Sequence, residues 1–376
     1  MLNQTGLNFS KNNFSKIKNF NLLIFVKLIN DNFHIKNYSK EDKSILNEIK
    51  NRINDHGELP FNWGPQELNY ILKNTEDKWL DYLIYRYKFI LYPKLKIKSD
   101  FPIYILIEPT SICNLRCTMC FQVDKSFTKK EYMGQMEFDL FKKIVDEAVI
   151  NGTKAITLAS RGEPTLHKQL NSMLDYISNK FIDIKLNTNA TKLNDDLCHK
   201  ILSSSVNEIV FSVDSHIKTI YEKIRVNGVF EDILYNIKNF HSIRKNYYPN
   251  SKIITRISGV RFLKEQNMEM FEKFWGEICD EVAYVDIENR WDTYNNNIEE
   301  INSPCNYLWE RFYIWWDGKC NPCDVDYKSQ LSPGNINNNT IKDIWNSFYY
   351  EELRKKHISS MRNNYVPCDR CGVSFE

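Results

Sequence analysis

The period of the apolar residues changes at about residue 101. Upstream, "SKEDKSILNEIKNRINDHG" repeats apolar positions every three to four residues, starts on acidic groups and stops at Gly57, which predicts one helix. "GPQELNYILKNTEDKWLDYLIYRYKFILY" predicts one or two amphipathic helices after Pro65. "FNLLIFVKLI" is interrupted by Lys27 and falls short of the ~18 residues of a membrane span, so it reads as a buried strand or helix. Residues 1–100 are expected to form a helical extension, with no cluster of chemically active side chains to give it a task.

Downstream, short apolar or β-branched runs alternate with helical stretches. The runs are "IYILIE" (103–108), "AITLAS" (155–160), "IDIKLN" (182–187), "EIVFSV" (208–213), "IITRIS" (253–258) and "VAYVDI" (282–287). Between them, "EFDLFKKIVDEAVING", "LHKQLNSMLDYISNKF" and "NDDLCHKILSSS" carry the helical period. The alternation predicts an α/β fold in which parallel strands are joined by right-handed crossover helices. Six units make a partial (β/α)6 barrel, expected over residues 101–290, with its chemistry at the C-terminal ends of the strands. Beyond residue 290 the pattern lapses into "WDTYNNNIEEINSPC" and "LSPGNINNNTI", so a small cysteine-rich domain is expected at 300–376.

Composition narrows the function classes. With 42% apolar and 14% aromatic residues among 376, the chain can bury a large core and is not a disordered protein. Fifty basic and 48 acidic residues leave a net charge of +2, which gives no long-range attraction to nucleic acid or to an acidic membrane. The basic stretch before "FNLLIFVKLI" is followed by no small-residue cleavage site, so a cytoplasmic location is expected. Ten cysteines are too few for a disulfide scaffold in a chain of this length, and they are clustered, which points to metal.

"EPTSICNLRCTMCF" (108–121) sets Cys113, Cys117 and Cys120 within eight residues, at steps of four and three. A helical stripe of buried thiols would have the same spacing, but Pro109, Thr110, Ser111 and Asn114 make a poor helix interior. Zinc completed by a distant ligand such as His167 also fits the spacing. Iron–sulfur clusters are the third reading, and three thiolates on a four-iron cube leave one iron open.

Cys-x3-Cys-x2-Cys after the first strand of a partial α/β barrel resembles the hallmark of the radical S-adenosylmethionine (SAM) enzymes, and the resemblance runs over roughly 101–376. It implies that the open iron of a [4Fe-4S] cluster chelates the methionine moiety of SAM. One electron then cleaves SAM to a 5′-deoxyadenosyl radical, which abstracts hydrogen from substrate. "SRGEP" (160–164) resembles the family's GGEP motif, with Arg161 in place of the first Gly; it assigns Gly162, Glu163 and Pro164 to the SAM amino group. "NTNA" (187–190) resembles the ribose-contacting strand end, making Asn187 and Asn189 candidates. "FSVDS" (211–215) and "YEKIR" (221–225) add Ser212, Asp214 and Arg225, the last for the SAM carboxylate, although an Arg on a solvated helix face reads the same way. Met119 takes the often aromatic position near adenine.

Cys305, Gly318, Cys320, Cys323, Cys368 and Cys371 form a second set, whose two Cys-x2-Cys pairs also suit structural zinc. In context they resemble the C-terminal SPASM or shorter twitch extension of the family. That implies one auxiliary [4Fe-4S] cluster on Cys305, Cys323, Cys368 and Cys371, with Cys320 as an alternate ligand or a substrate-facing thiol. Asp324 and Asp326 stand beside a ligand as candidate bases, or as turn caps. The expected activity is a radical SAM oxidoreductase that oxidises a small polar molecule (sugar, nucleotide-sugar or aminocyclitol), with the auxiliary cluster accepting an electron. The alternatives are maturation of a ribosomally made peptide and a non-catalytic zinc protein; tRNA modification lacks an appended basic domain. A flavodoxin or ferredoxin is the expected reducing partner, with neither nucleic acid nor membrane.

Overall fold

The computed structural model describes residues 8–9, 20–32, 36–286, 293–299 and 301–373. Ile287 of the sixth predicted strand, and Trp291, Asp292 and Glu300 of the predicted linker, lie outside the described residues, as do parts of the N-terminal extension and the last three residues.

Helices come first, apart from a short edge strand β1 (Asn8–Phe9): α1 (Leu23–Asn32), α2 (Lys40–His56), α3 (Pro65–Lys73) and α4 (Glu76–Leu95). The Ser39 hydroxyl caps α2 by accepting from the Asp42 amide, and Gly57 ends it with φ 69°, a left-handed conformation that glycine adopts without strain. The long predicted segment after Pro65 breaks in two at Asn74–Thr75. "FNLLIFVKLI" becomes α1 rather than a strand, burying Phe25 and Ile29.

All six predicted strands form, as β2 (Tyr104–Ile107), β4 (Ala155–Leu158), β5 (Asp183–Thr188), β6 (Glu208–Ser212), β8 (Ile254–Arg261) and β9 (Glu281–Asp286). Two-residue strands β3 (Arg116–Cys117) and β7 (Arg225–Val226) pair separately. The six lie parallel and in chain order across the sheet, as consecutive crossovers require. Their helices are α5 (Phe138–Ile150), α6 (Leu170–Ile177), α7 (Asp195–Ser203), α8 (Lys218–Ile224), α9 (Phe230–Tyr247) and α10 (Met268–Gly276).

The sheet does not stop at β2. β10 (Phe312–Ile314) joins it in parallel, Phe312 opposite Ile105, and β11 (Lys319–Asn321) and β12 (Gly334–Asn335) follow antiparallel. The C-terminal region, completed by α11 (Tyr307–Glu310), α12 (Ile341–Trp345) and α13 (Phe348–Ile358), therefore shares sheet and core with the barrel. The N-terminal helices have their own core, whose far members Ile103 and Ala155 lie at the start of β2 and β4. Tyr70 and Lys73 of α3 donate to the carbonyls of Ile182 and Ile253, just before β5 and β8. The extension thus closes the end of the barrel opposite the chemistry.

Candidate active site

A cavity of about 350 Å³ opens at the C-terminal ends of the strands and is lined by Cys113, Cys117 and Cys120. The loop carrying them is tied down by main-chain bonds. Cys117 faces Arg225 across the β3–β7 pair, and the Glu163 amide donates to the Ile112 carbonyl (2.9 Å). Gly162 is obligatory here, because a Cβ would run into the carbonyl oxygens of Thr110 and Ile112. Burial pushes the Cys113 thiol up to about 11 and Cys120 to about 12. Thiolates at these positions therefore need a bound cation to offset the cost of burial.

Most of the residues expected to bind SAM converge on the cavity: Met119, Gly162, Glu163, Asn187, Asn189, Ser212 and Arg225 all line it. Arg225 is 8% exposed and not on a solvated helix face, because α8 ends before it and β7 turns it inward. Its Nε donates to Asp214 at 2.6 Å, while the other Asp214 oxygen accepts from the Val260 amide. Asp214 is thus a holder of Arg225 standing behind the wall. Pro164, also expected at the cofactor, opens a single 3₁₀ turn and lies outside the lining set.

Glu163 is buried and already engaged. It accepts from the hydroxyls of Thr165 and Thr188 (2.7 Å each) and from the Thr165 and Asn189 amides (3.0 and 2.6 Å). Burial raises its pKa despite those bonds. Asn189 donates to Asn114 (3.0 Å) and accepts from Thr191, so it braces the cysteine loop. By contrast the Asn187 Oδ1 is buried without a partner. So is Ser160 Oγ, whose residue holds φ 112° in a region side chains rarely adopt. Ser160 was legible only as part of "SRGEP", where a serine reads as an ordinary turn residue. Orphaned polar atoms, a guanidinium and three thiols around one cavity fit a polar cofactor with a carboxylate and hydroxyls.

Arg161, at the position where the family motif has Gly, does not face the cofactor with its charge. It forms a forked pair with Glu108 (2.7 and 2.6 Å), donates to the Tyr327 carbonyl (2.8 Å) and stacks on Trp315 with its guanidinium 4.2 Å from the ring centre. It joins the SAM-motif loop to the C-terminal region. His167 uses both ring nitrogens locally, with the Met136 carbonyl and the Gln169 amide, and so is not aimed at the thiols.

In the second set, Cys305, Cys323, Cys368 and Cys371 lie close enough that each feels another's charge. Cys320 does not join them. On β11 it points into the main core at 0% exposure, its thiol directed to the Gly318 carbonyl, so the roles of alternate ligand and substrate-facing thiol do not suit it. Asp324 lines the cavity, whereas Asp326 caps the following turn, accepting from the Gln330 and Leu331 amides and from Tyr294. Asp326 is the turn cap rather than a base facing substrate, and burial lifts its pKa to about 6. Among the described residues, no three His, Cys, Asp or Glu side chains are set to share one metal ion.

Residues 107–274 match the radical SAM superfamily, and residues 305–372 match SPASM, an iron–sulfur cluster-binding domain. The chain thus carries a radical SAM domain and a SPASM domain over those residues. Its cofactors are accordingly a SAM-binding [4Fe-4S] cluster, SAM itself and auxiliary iron–sulfur centres in the SPASM domain. A relative in Pyrococcus furiosus, the tungsten-containing aldehyde ferredoxin oxidoreductase cofactor-modifying protein, is 35% identical over 30% of this chain and 30% of its own length. The cysteine-type anaerobic sulfatase-maturating enzyme of Clostridium novyi is 25% identical over 71% of this chain and 84% of its own. The fold is similar to Streptococcus suis SuiB bound to precursor peptide SuiA (TM-score 0.54, 14% identity, 99% of this chain and 93% of that one). It is also similar to BtrN in complex with AdoMet and 2-DOIA (TM-score 0.52, 18% identity, 73% and 94%). No described helix is long and apolar enough to cross a membrane.

Proposed function

We propose that this chain is a radical SAM enzyme that oxidises a peptide, rather than the small polar molecule expected from sequence. The observation that carries the reading is likeness to a sulfatase-maturating enzyme, 25% identical over 71% of this chain and 84% of that enzyme's length. The cavity at the first thiol set opens at the strand ends, where one side chain of a peptide can reach in.

In this reading Cys113, Cys117 and Cys120 hold the first cluster, and Cys305, Cys323, Cys368 and Cys371 hold one auxiliary cluster. When bound, the first cluster and SAM supply the 5′-deoxyadenosyl radical that takes hydrogen from substrate. The chain's residues bind and orient. Arg225, fixed by Asp214, offers two N–H groups to the SAM carboxylate; Asn187 Oδ1 and Ser160 Oγ offer hydrogen bonds within the cavity; Gly162 lets the backbone approach closely. Asp324, at the cavity wall beside Cys323, would accept the proton that the substrate radical sheds, with the auxiliary cluster, when bound, taking the electron.

Reconstituted protein with dithionite and SAM should release 5′-deoxyadenosine, and Cys117→Ala should abolish that release. Offered synthetic peptides carrying Cys, Ser and Asp side chains beside a panel of sugars and aminocyclitols, it should remove two hydrogens from a peptide, read by mass spectrometry. Loss of two hydrogens from the sugar panel, with every peptide unchanged, would overturn the peptide reading.

A further inference from the structure

Arg362 lies beside the second thiol set at 1% exposure. Its nitrogens donate to three carbonyls of the loop that carries two of the thiols: Nε to Cys368 (3.3 Å), Nη2 to Cys371 (2.9 Å) and Nη1 to Val373 (2.8 Å). These bonds give each of its three nitrogens a partner but leave its charge unopposed, because among the described residues no carboxylate pairs with it. Asp369, the carboxylate nearest in sequence, pairs with Arg370 instead. Burying a guanidinium without a counter-charge is strongly unfavourable, so something negative belongs next to it.

A second cation comes from a different part of the chain. Lys96, just after α4, donates to the Pro93 carbonyl (2.9 Å) and the Asn306 side chain (2.6 Å), again with no carboxylate partner among the described residues. Both charges act on Cys305, and Arg362 acts on Cys368 as well. Asp324 and Asp326 oppose them at Cys323, and Asp326 also at Cys368. The two cations therefore meet at Cys305, where two separate parts of the chain come together.

We propose that Arg362 and Lys96 set the reduction potential of the auxiliary cluster, supplying its counter-charge and making it easier to reduce. The inference rests on the reading that these four thiols hold a cluster. A cube bound by four thiolates is negative when oxidised and more negative when reduced, so a fixed cation stabilises the reduced form more. Arg362 and Lys96 are positioning residues, since neither reaches substrate through the cavity wall.

The test is an EPR-monitored redox titration of the full chain in which Cys113, Cys117 and Cys120 are replaced by Ala, so that only the second set binds iron. In that background, about four irons per chain confirm the cluster. Arg362→Met and Lys96→Met should each move the midpoint to a more negative potential, and the double variant further. Arg362→Lys, which keeps the charge and loses the fork, should stay near the parent. Unmoved midpoints in both Met variants with iron retained, or an Arg362→Lys shift as large as that of Arg362→Met, would overturn the proposal. If Arg362→Met fails to assemble a cluster, Lys96→Met decides alone. No substrate or SAM enters the titration, so its failure leaves the peptide reading standing, and absence of iron in the parent would instead refute the cluster assignment.

Discussion

Arg161 shows how one side chain can serve two regions. Replacing a motif glycine with arginine looks like damage to a cofactor site, yet its charge turns away from the cavity to Glu108, 53 residues earlier, and to the carbonyl of Tyr327, 166 residues later. Both members of the pair are at most 3% exposed, and removing one partner of such a pair costs about 3–5 kcal/mol. Arg161→Gly, although it restores the family motif, should therefore lower stability by about that amount, read as an earlier midpoint in chemical denaturation; an unchanged midpoint would show that the pair is not needed. The contact could not be seen in sequence, because it is made between segments distant along the chain. Arg225 was ambiguous for a related reason: "YEKIR" has helical spacing to its end, and only the two-residue β7 turns the last side chain inward. The cysteine triplet, in contrast, was legible at once, because its three thiols fall within eight residues.

At the scale of elements, the six barrel strands were readable from their β-branched runs, while β10 was not. "FYI" is three residues long and runs straight into Trp315 and Trp316, so composition alone does not separate a strand from a packed turn; pairing with β2 makes it one. The N-terminal helices were readable as helices but not as the closure of the barrel base. Lys73 of α3 meets Asp280, at the turn into β9, at 3.5 Å, and Arg244 of α9 meets the same carboxylate at 2.9 Å. Burial alone would raise the Asp280 pKa, but Arg244, Lys73 and the Thr255 amide together hold it below the ordinary carboxylate range. A depressed folded-state pKa gives stability that is complete above about pH 4 and is lost as pH falls through the folded value. Asp280→Asn should accordingly be less stable than wild type at neutral pH, and the gap should narrow on acidification below about pH 4. Urea midpoints measured across that range check this, and a constant gap would deny the linkage.

For the molecule as a whole, the structure joins two thiol sets through a shared sheet and through aromatic contacts at Tyr327. Phe121, directly after Cys120, stacks on Tyr327 with ring centres 5.1 Å apart, and Tyr327 follows Cys323 by four residues and donates to Asp124 (2.8 Å). The SPASM domain therefore contributes to the wall of the cavity that the first thiol set lines, through Asp324 and Val325. The central claim is that each thiol set holds its own four-iron cube, the first with an open corner. Iron analysis of anaerobically reconstituted protein tests it most directly: about eight irons per chain, falling to about four when Cys113, Cys117 and Cys120 become Ala, is the expected result. Zinc in place of iron at the first set, or no loss of iron on its removal, would contradict it.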